Sequence, residues 1–376
     1  MGGCNTNIDI EELRKLTSIS AVSGHEDRLI SYIQDYFKNS GALLHTDYLG
    51  NVTATFQGKG DNSHSLLFFA HIDELGLIVK GIEESGFLRV ERVGGIPEKT
   101  LPGTFVDIFS LDETKQYTGF FGCYSHHITP AEKKYTVPAI KEMYIDVGAE
   151  SRAEVLAMGI NAGSMVTYQP SFFPAGKNRL TVKSLDNRMG VYILLKMAEL
   201  LKQASPLCTI HLCFSTQEEF NSRGCLPVFE RLRPDAAICL DITPAMDTPE
   251  YRKGEGVYLG GGPAICYFNF HGRGTLGGLI PHPKLVAFIR TVAEEEKIQC
   301  QADITLGVIT DDAFTQLTGT EGVAMAHISV PLRYTHSPIE TIDLRDLSAT
   351  ADLCCAVAKR FNDTVDLSRG KKQEGK

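Results

Sequence analysis

The segment Ser65-Leu-Leu-Phe-Phe-Ala70 limits most sharply what this chain can fold into. It has no period-2 alternation, so neither of its faces is suited to water. A run of this kind is expected as a strand buried on both sides of a sheet, the usual state of parallel sheets covered by helices. Residues 208–215 and 236–240 have the same character, and 323–330 is a further apolar stretch. Helical periodicity surrounds these runs. Leu29, Ile30, Ile33, Tyr36 and Phe37 fall on one helical face that Gly41 closes, and Ser23-Gly-His-Glu26 reads as a capping box ahead of it. Further helices are predicted at 191–201, 285–295 and 344–361, and shorter strands at Leu43–Thr46 and Val52–Phe56. This pattern is α/β.

Between about residues 75 and 178 the texture changes. Short β-type runs alternate with turn residues at 75–79, 87–93, 104–111, 117–121, 143–147 and 165–169, with one helix near 153–158. The simplest organisation is a discontinuous α/β domain, 1–74 and 179–376, interrupted by a small β-domain at 75–178. No internal repeat is evident, and the polar tail 368–376 reads as disordered.

Composition excludes several function classes. The 376 residues carry a formal net charge of −9, which argues against nucleic acid or anionic lipid as the main partner. No apolar stretch is long enough to span a bilayer, and the start lacks a secretory h-region. The ten cysteines include no CxxC pair and sit mostly in apolar runs. Buried free thiols in a reducing, cytoplasmic setting are the expectation. The opening Met1-Gly-Gly-Cys-Asn-Thr6 fits the loose myristoylation pattern, which is short and carries meaning only in a host with the transferase.

Five sites carry the chemistry. His71-Ile-Asp73-Glu74 directly follows the first buried run; an imidazole there can bind a metal while the carboxylate two residues on holds its other ring proton. Ser184-Leu-Asp186-Asn-Arg188 opens a helix; Asp186 can bridge two cations with its two oxygens, or merely cap the helix. Thr216-Gln-Glu218-Glu219 leaves a second buried run. One glutamate can bind metal while the other handles protons, unless the pair is a solvated acidic turn. Asp241 closes the run 236–240, where a charge needs a partner. His336 lies in Tyr334-Thr-His-Ser-Pro338, after the stretch 323–330. Together they supply the donors of a two-metal hydrolytic centre.

Six pieces of sequence in this order resemble the M42 family of metallo-aminopeptidases, the glutamyl aminopeptidase and TET-like peptidases. They are Ala70-His-Ile-Asp-Glu-Leu-Gly76, Ser184-Leu-Asp-Asn-Arg188, Gln217-Glu-Glu219, Leu240-Asp-Ile-Thr243, Asp247-Thr-Pro249 and Arg333-Tyr-Thr-His-Ser-Pro338. The resemblance runs from about Leu13 to Phe361. It implies a mixed-sheet, phosphorylase/hydrolase-like α/β metallopeptidase domain with an inserted PDZ-like β-barrel used for dimerisation. It implies that His71, Asp186, Glu219, Asp241 and His336 bind two divalent ions, zinc or cobalt first and manganese as a further option. Asp186 would be the bridge, Glu218 the general base and Asp73 the support for His71, with a cis bond between Asp186 and Asn187. Relatives form dimers that build tetrahedral dodecamers and trim short peptides.

The chain departs from the family where a Gly-Gly-Thr-Asp-Ala-Gly-like loop is usual, reading Gly307-Val-Ile-Thr-Asp-Asp-Ala313, which leaves side-chain preference open. His126 and His127, in the insertion, are either surface residues or reach a neighbouring active site. Two other readings stand beside an aminopeptidase. A glycoside hydrolase would use Glu218 and Asp241 as its carboxyl pair, but it leaves the histidines unexplained and has no tryptophan for a sugar platform. A non-catalytic scaffold of the same fold would be expected to have lost ligands.

Overall fold

The computed structural model describes residues 7–59, 64–203, 205–251, 254, 256–270, 278–306 and 312–370. The acylation-like opening at residues 1–6 and the tail from 371 lie outside the described residues, as do 307–311 of the divergent loop.

The apolar runs form the centre of one nine-stranded mixed sheet. Four strands lie parallel there, in the order Thr209–Ser215, Ser65–His71, Ala236–Pro244 and Ala324–Leu332. Antiparallel strands flank them: Val52–Phe56 and then Leu43–Thr46 on one side, Ala264–Phe270 on the other. The missing alternation in Ser65–Ala70 is explained by its two packed faces. Leu66, Phe68 and Ala70 join the main core, which includes the buried faces of helices Leu185–Gln203 and Leu344–Arg360. Leu67 and Phe69 pack on the other face, where the Phe69 and Phe229 rings meet edge to face at 5.2 Å. Each such fully buried side chain contributes roughly 1.5–3 kcal/mol.

The β-rich texture resolves into a closed, antiparallel barrel of six strands: Gly76–Ile82, Leu88–Val93, Ile145–Asp146, Gln116–Phe121, Phe105–Phe109 and Met165–Tyr168. It has its own core, with Leu77, Leu88, Val106, Ile108, Phe121 and Ile145 all buried. Its α-helix, Arg152–Ala157, is capped by the Ser151 hydroxyl. Beyond the barrel, Phe173–Ala175 pairs with Arg179–Thr181, which in turn pairs with Thr341–Asp343, in a separate three-stranded sheet. No helix among the described residues is long and apolar enough to cross a membrane.

One local expectation is overturned. Ser23 and Glu26 do not form a capping box: the helix is Asp27–Phe37, its N-cap is Glu26, and no side chain caps it. Both side chains turn inward to the crevice described next.

Candidate metal centre

The carboxyl ends of the four parallel strands open into one crevice, the usual ligand position in such sheets. His71 closes its strand and pairs with Ser215, so Glu218 and Glu219 emerge beside it. Cys239 pairs with Phe69, which sets Asp241 level with His71. Asp241 lies within Ala236–Pro244 rather than beyond the strand's end as the sequence suggested, because pairing with the strand Ala324–Leu332 carries the ladder on to Pro244. His336 follows that strand in a loop and takes a left-handed φ of 65°. Asp186 and Asn187 sit at the start of helix Leu185–Gln203 with non-helical dihedrals, joined by a cis peptide bond.

All the sequence-nominated groups converge. His71 Nε2 lies 3.3 Å from Asp186 Oδ1, 3.8 Å from Glu218 Oε2 and 3.8 Å from Asp241 Oδ1. His336 Nε2 lies 3.6 Å from Asp186 Oδ2 and 3.8 Å from Glu219 Oε2. Ligand atoms of His71, Asp186 and Glu219 all fall within 4.8 Å of one another. Each imidazole is held by its other nitrogen. His71 Nδ1 is 3.1 Å from the Asp73 carbonyl and 3.5 Å from its carboxylate, and His336 Nδ1 is 3.2 Å from the Gly95 carbonyl. Both Nε2 atoms are thereby turned to the carboxylates.

The supporting contacts were only partly visible in the sequence. Asp73 is buried and accepts from the Glu218 and Glu219 amides at 3.0 and 3.1 Å and from the Ser23 hydroxyl at 2.7 Å. Glu26 accepts from the Gln217 amide at 3.3 Å. Glu340 was missed altogether; it is buried and accepts from the Asp186 amide at 3.1 Å and the His336 amide at 2.8 Å. Its only sequence signal is a charge two residues past Tyr334-Thr-His-Ser-Pro338 and just before a strand. Thr335 donates to Asp186 Oδ2 at 3.1 Å. In the divergent loop, Asp312 is described and accepts from the buried Ser215 hydroxyl at 3.0 Å. His126 and His127 are exposed on the segment after Gln116–Phe121.

The electrostatics are those of crowded carboxylates. Burial pushes Glu218 well above the usual carboxylate range; His71 opposes the shift, and the charges of Glu219 and Asp241 add to it. Glu219 is raised in the same way by burial and by Asp186. Burial would also raise Asp186, but His71 and His336 outweigh it and hold Asp186 low. Burial lowers His71, and its contacts with Asp186 and Asp73 and the charges of Glu218 and Asp241 reverse this. A divalent cation relieves such a site. The donor set, two anchored imidazoles and several carboxylates with few other cations near, fits one.

Residues 50–353 match the family model described as M42 glutamyl aminopeptidase. Among solved structures the chain resembles aminopeptidase APDkam598 from the archaeon Desulfurococcus kamchatkensis. The identity is 36%, the TM-score 0.88, and 95% of this chain and 97% of that one are covered. It also resembles the Pyrococcus horikoshii TET1 peptidase, which can assemble into a tetrahedron or a large octahedral shell; identity is 28%, TM-score 0.79, and coverage 94% and 99%. The lysyl aminopeptidase of Pyrococcus furiosus is 29% identical over 94% of this chain and 98% of its own length.

Proposed function

The chain belongs to the M42 glutamyl aminopeptidase family and is a peptide-bond hydrolase; from that premise we propose that it is a two-metal aminopeptidase that removes N-terminal residues from short peptides. One observation carries the two-metal reading. The oxygens of Asp186 face different imidazoles, Oδ1 toward His71 at 3.3 Å and Oδ2 toward His336 at 3.6 Å. A single carboxylate shared between two donor groups is what two adjacent cations require. His71 and Asp241 complete one group, and Glu219 and His336 the other. Zinc or cobalt suits these donors best, with manganese a further option.

The ions, when bound, supply Lewis-acid polarisation of the scissile carbonyl and lower the pKa of the attacking water. The chain's own groups do the rest. Ser222 holds Glu218 Oε1 at 2.7 Å, which leaves Oε2 turned to the crevice. Oε2 takes the water's proton and returns it to the leaving amine nitrogen. Asp73 keeps His71 in register by fixing both its ring and the turn that carries Glu218 and Glu219.

The division into a catalytic part, 1–74 and 179–376, and a barrel insertion, 75–178, belongs to this reading. So does self-association. Tyr124, Ile128, Tyr135 and Val137 are 56%, 83%, 91% and 54% exposed on the segment after the strand Gln116–Phe121. An apolar surface repeated on every copy favours a closed symmetric assembly, at least a dimer and in its larger form a dodecamer. The nine described cysteines form no disulfide with one another, and seven are buried, which suits a reducing compartment.

The test is a panel of aminoacyl chromogenic substrates, assayed before and after chelation and with zinc, cobalt or manganese restored. Activity should vanish with the metal, return with it, and require a free amino terminus. Full turnover by metal-free protein, or equal cleavage of N-acetylated substrates, would refute the reading.

A further inference from the structure

Every nominated metal ligand lies outside the barrel in sequence, yet the barrel reaches the centre at two separate points. The first is the turn after the strand Leu88–Val93. The carbonyl of Gly95 lies 3.2 Å from His336 Nδ1, so a barrel residue sets the ring orientation of a nominated ligand. The fit is close: a Cβ on Gly95 would stand 3.2 Å from His336 Nδ1 and 3.3 Å from Cε1, and one on Gly94 would stand 3.1 Å from the Glu219 carbonyl. The second point is Thr167 in the strand Met165–Tyr168, fully buried. Its hydroxyl donates to Glu74 Oε2 at 3.1 Å.

Glu74 is the centre of a buried cluster. The same oxygen accepts from Lys183 Nζ and the Ser184 hydroxyl, and Oε1 accepts from the Ala21 amide at 2.9 Å. Arg188 approaches Oε1 at 3.5 Å and donates to the carbonyl of Ile72, between His71 and Asp73. Ser184 takes a left-handed φ of 60° two residues before Asp186, so the turn that aims the bridging carboxylate is held by Glu74. Asp107, also buried in the barrel and paired with Thr167 across its strands, faces Lys183 electrostatically.

We infer that the barrel is a structural part of the metal centre, orienting His336 through the Gly95 carbonyl and the Ser184–Asp186 turn through Thr167 and Glu74. Gly95, Thr167 and Glu74 are positioning residues; none touches the reacting atoms. The inference rests on the two-metal reading and adds that the centre's affinity for metal depends on the barrel. Partners that orient metal ligands typically alter affinity by about 10–100-fold.

The test is zinc binding to metal-free full-length protein, by competition with a chromophoric chelator, alongside thermal melting of the same metal-free samples. Glu74→Gln strands two buried cations and is a poor probe if it fails to fold, so milder variants decide. Gly95→Ala should weaken one class of bound zinc by about tenfold. Gly81→Ala, where a Cβ meets nothing within 4 Å, should not. Thr167→Val should weaken zinc binding and Thr167→Ser should restore it. A purely structural role would lower the melting temperature and leave zinc affinity unmoved. Wild-type affinity in both Gly95→Ala and Thr167→Val overturns this inference and spares the two-metal reading. A wild-type protein that takes up no zinc, cobalt or manganese overturns both.

Discussion

Glu218 and Glu219 are neighbours in the chain with different contacts, and the proposed mechanism gives them different work. The first has one oxygen tied to Ser222 and the other 3.8 Å from His71; the second approaches His336 at 3.8 Å. Glu218→Gln should therefore keep the bound metal and lower kcat by about 10²–10⁴, the usual worth of a general base. Glu219→Gln should lose one ion first. Metal analysis beside single-turnover rates checks both, and near-normal turnover in Glu218→Gln would remove it as the base. His71, Asp186, Glu218, Glu219 and Asp241 could be nominated from sequence because each charge ends an apolar run or opens a helix, where an unpaired charge is costly. Ser23, Glu26 and Glu340 could not. Their partners Asp73, Gln217 and Asp186 lie 50, 191 and 154 residues away, and no local pattern encodes such a contact. Ser23-Gly-His-Glu26 shows the consequence. It has the spacing of a capping box, but both side chains find partners across the crevice instead.

At the level of elements, strands with two buried faces were readable because burial leaves a continuous apolar signature. Gln301–Leu306, a polar–apolar alternation reading Gln-Ala-Asp-Ile-Thr-Leu, has no such continuous run, and Phe173–Ala175 and Thr341–Asp343 are short strands defined by their pairing. The reach of Ala236–Pro244 past Asp241 likewise depends on its ladder with Ala324–Leu332. Two predictions belong here. Asp343 caps the helix Leu344–Arg360 by accepting from the Arg345 amide at 3.0 Å. Asp343→Ala should cost about 1 kcal/mol in a denaturant melt and leave kcat unchanged. His211, in the strand Thr209–Ser215, is pushed down to about 4 by burial and by the charge of Arg231. The unfolded chain takes up this proton near pH 6.5 and the folded chain near 4, so in that window the unfolded state binds more protons. The contribution is intact above pH 6.5 and is lost as pH falls toward 4. Between pH 7 and 4.5 it amounts to about 2.5 kcal/mol. His211→Asn should flatten the acid side of the stability profile by about that amount; an unchanged profile would exclude His211 as a source of acid lability.

For the whole molecule, the barrel segment after Gln116–Phe121 carries several exposed apolar side chains, with Ile128 83% and Tyr135 91% exposed. Light scattering at micromolar concentration should give at least a dimeric mass, and Ile128→Ser with Tyr135→Ser should reduce it. A strictly monomeric wild type with full activity would dismiss assembly as a requirement. The account depends on the Asp186 carboxylate, which faces both His71 and His336, serving two ions. Elemental analysis of purified protein, dialysed against buffer with and without added zinc, tests this most directly. Wild type should retain about two divalent ions per chain, and Asp186→Asn should fail to retain a pair. One ion per chain in active wild type, or two ions undiminished in Asp186→Asn, would contradict it.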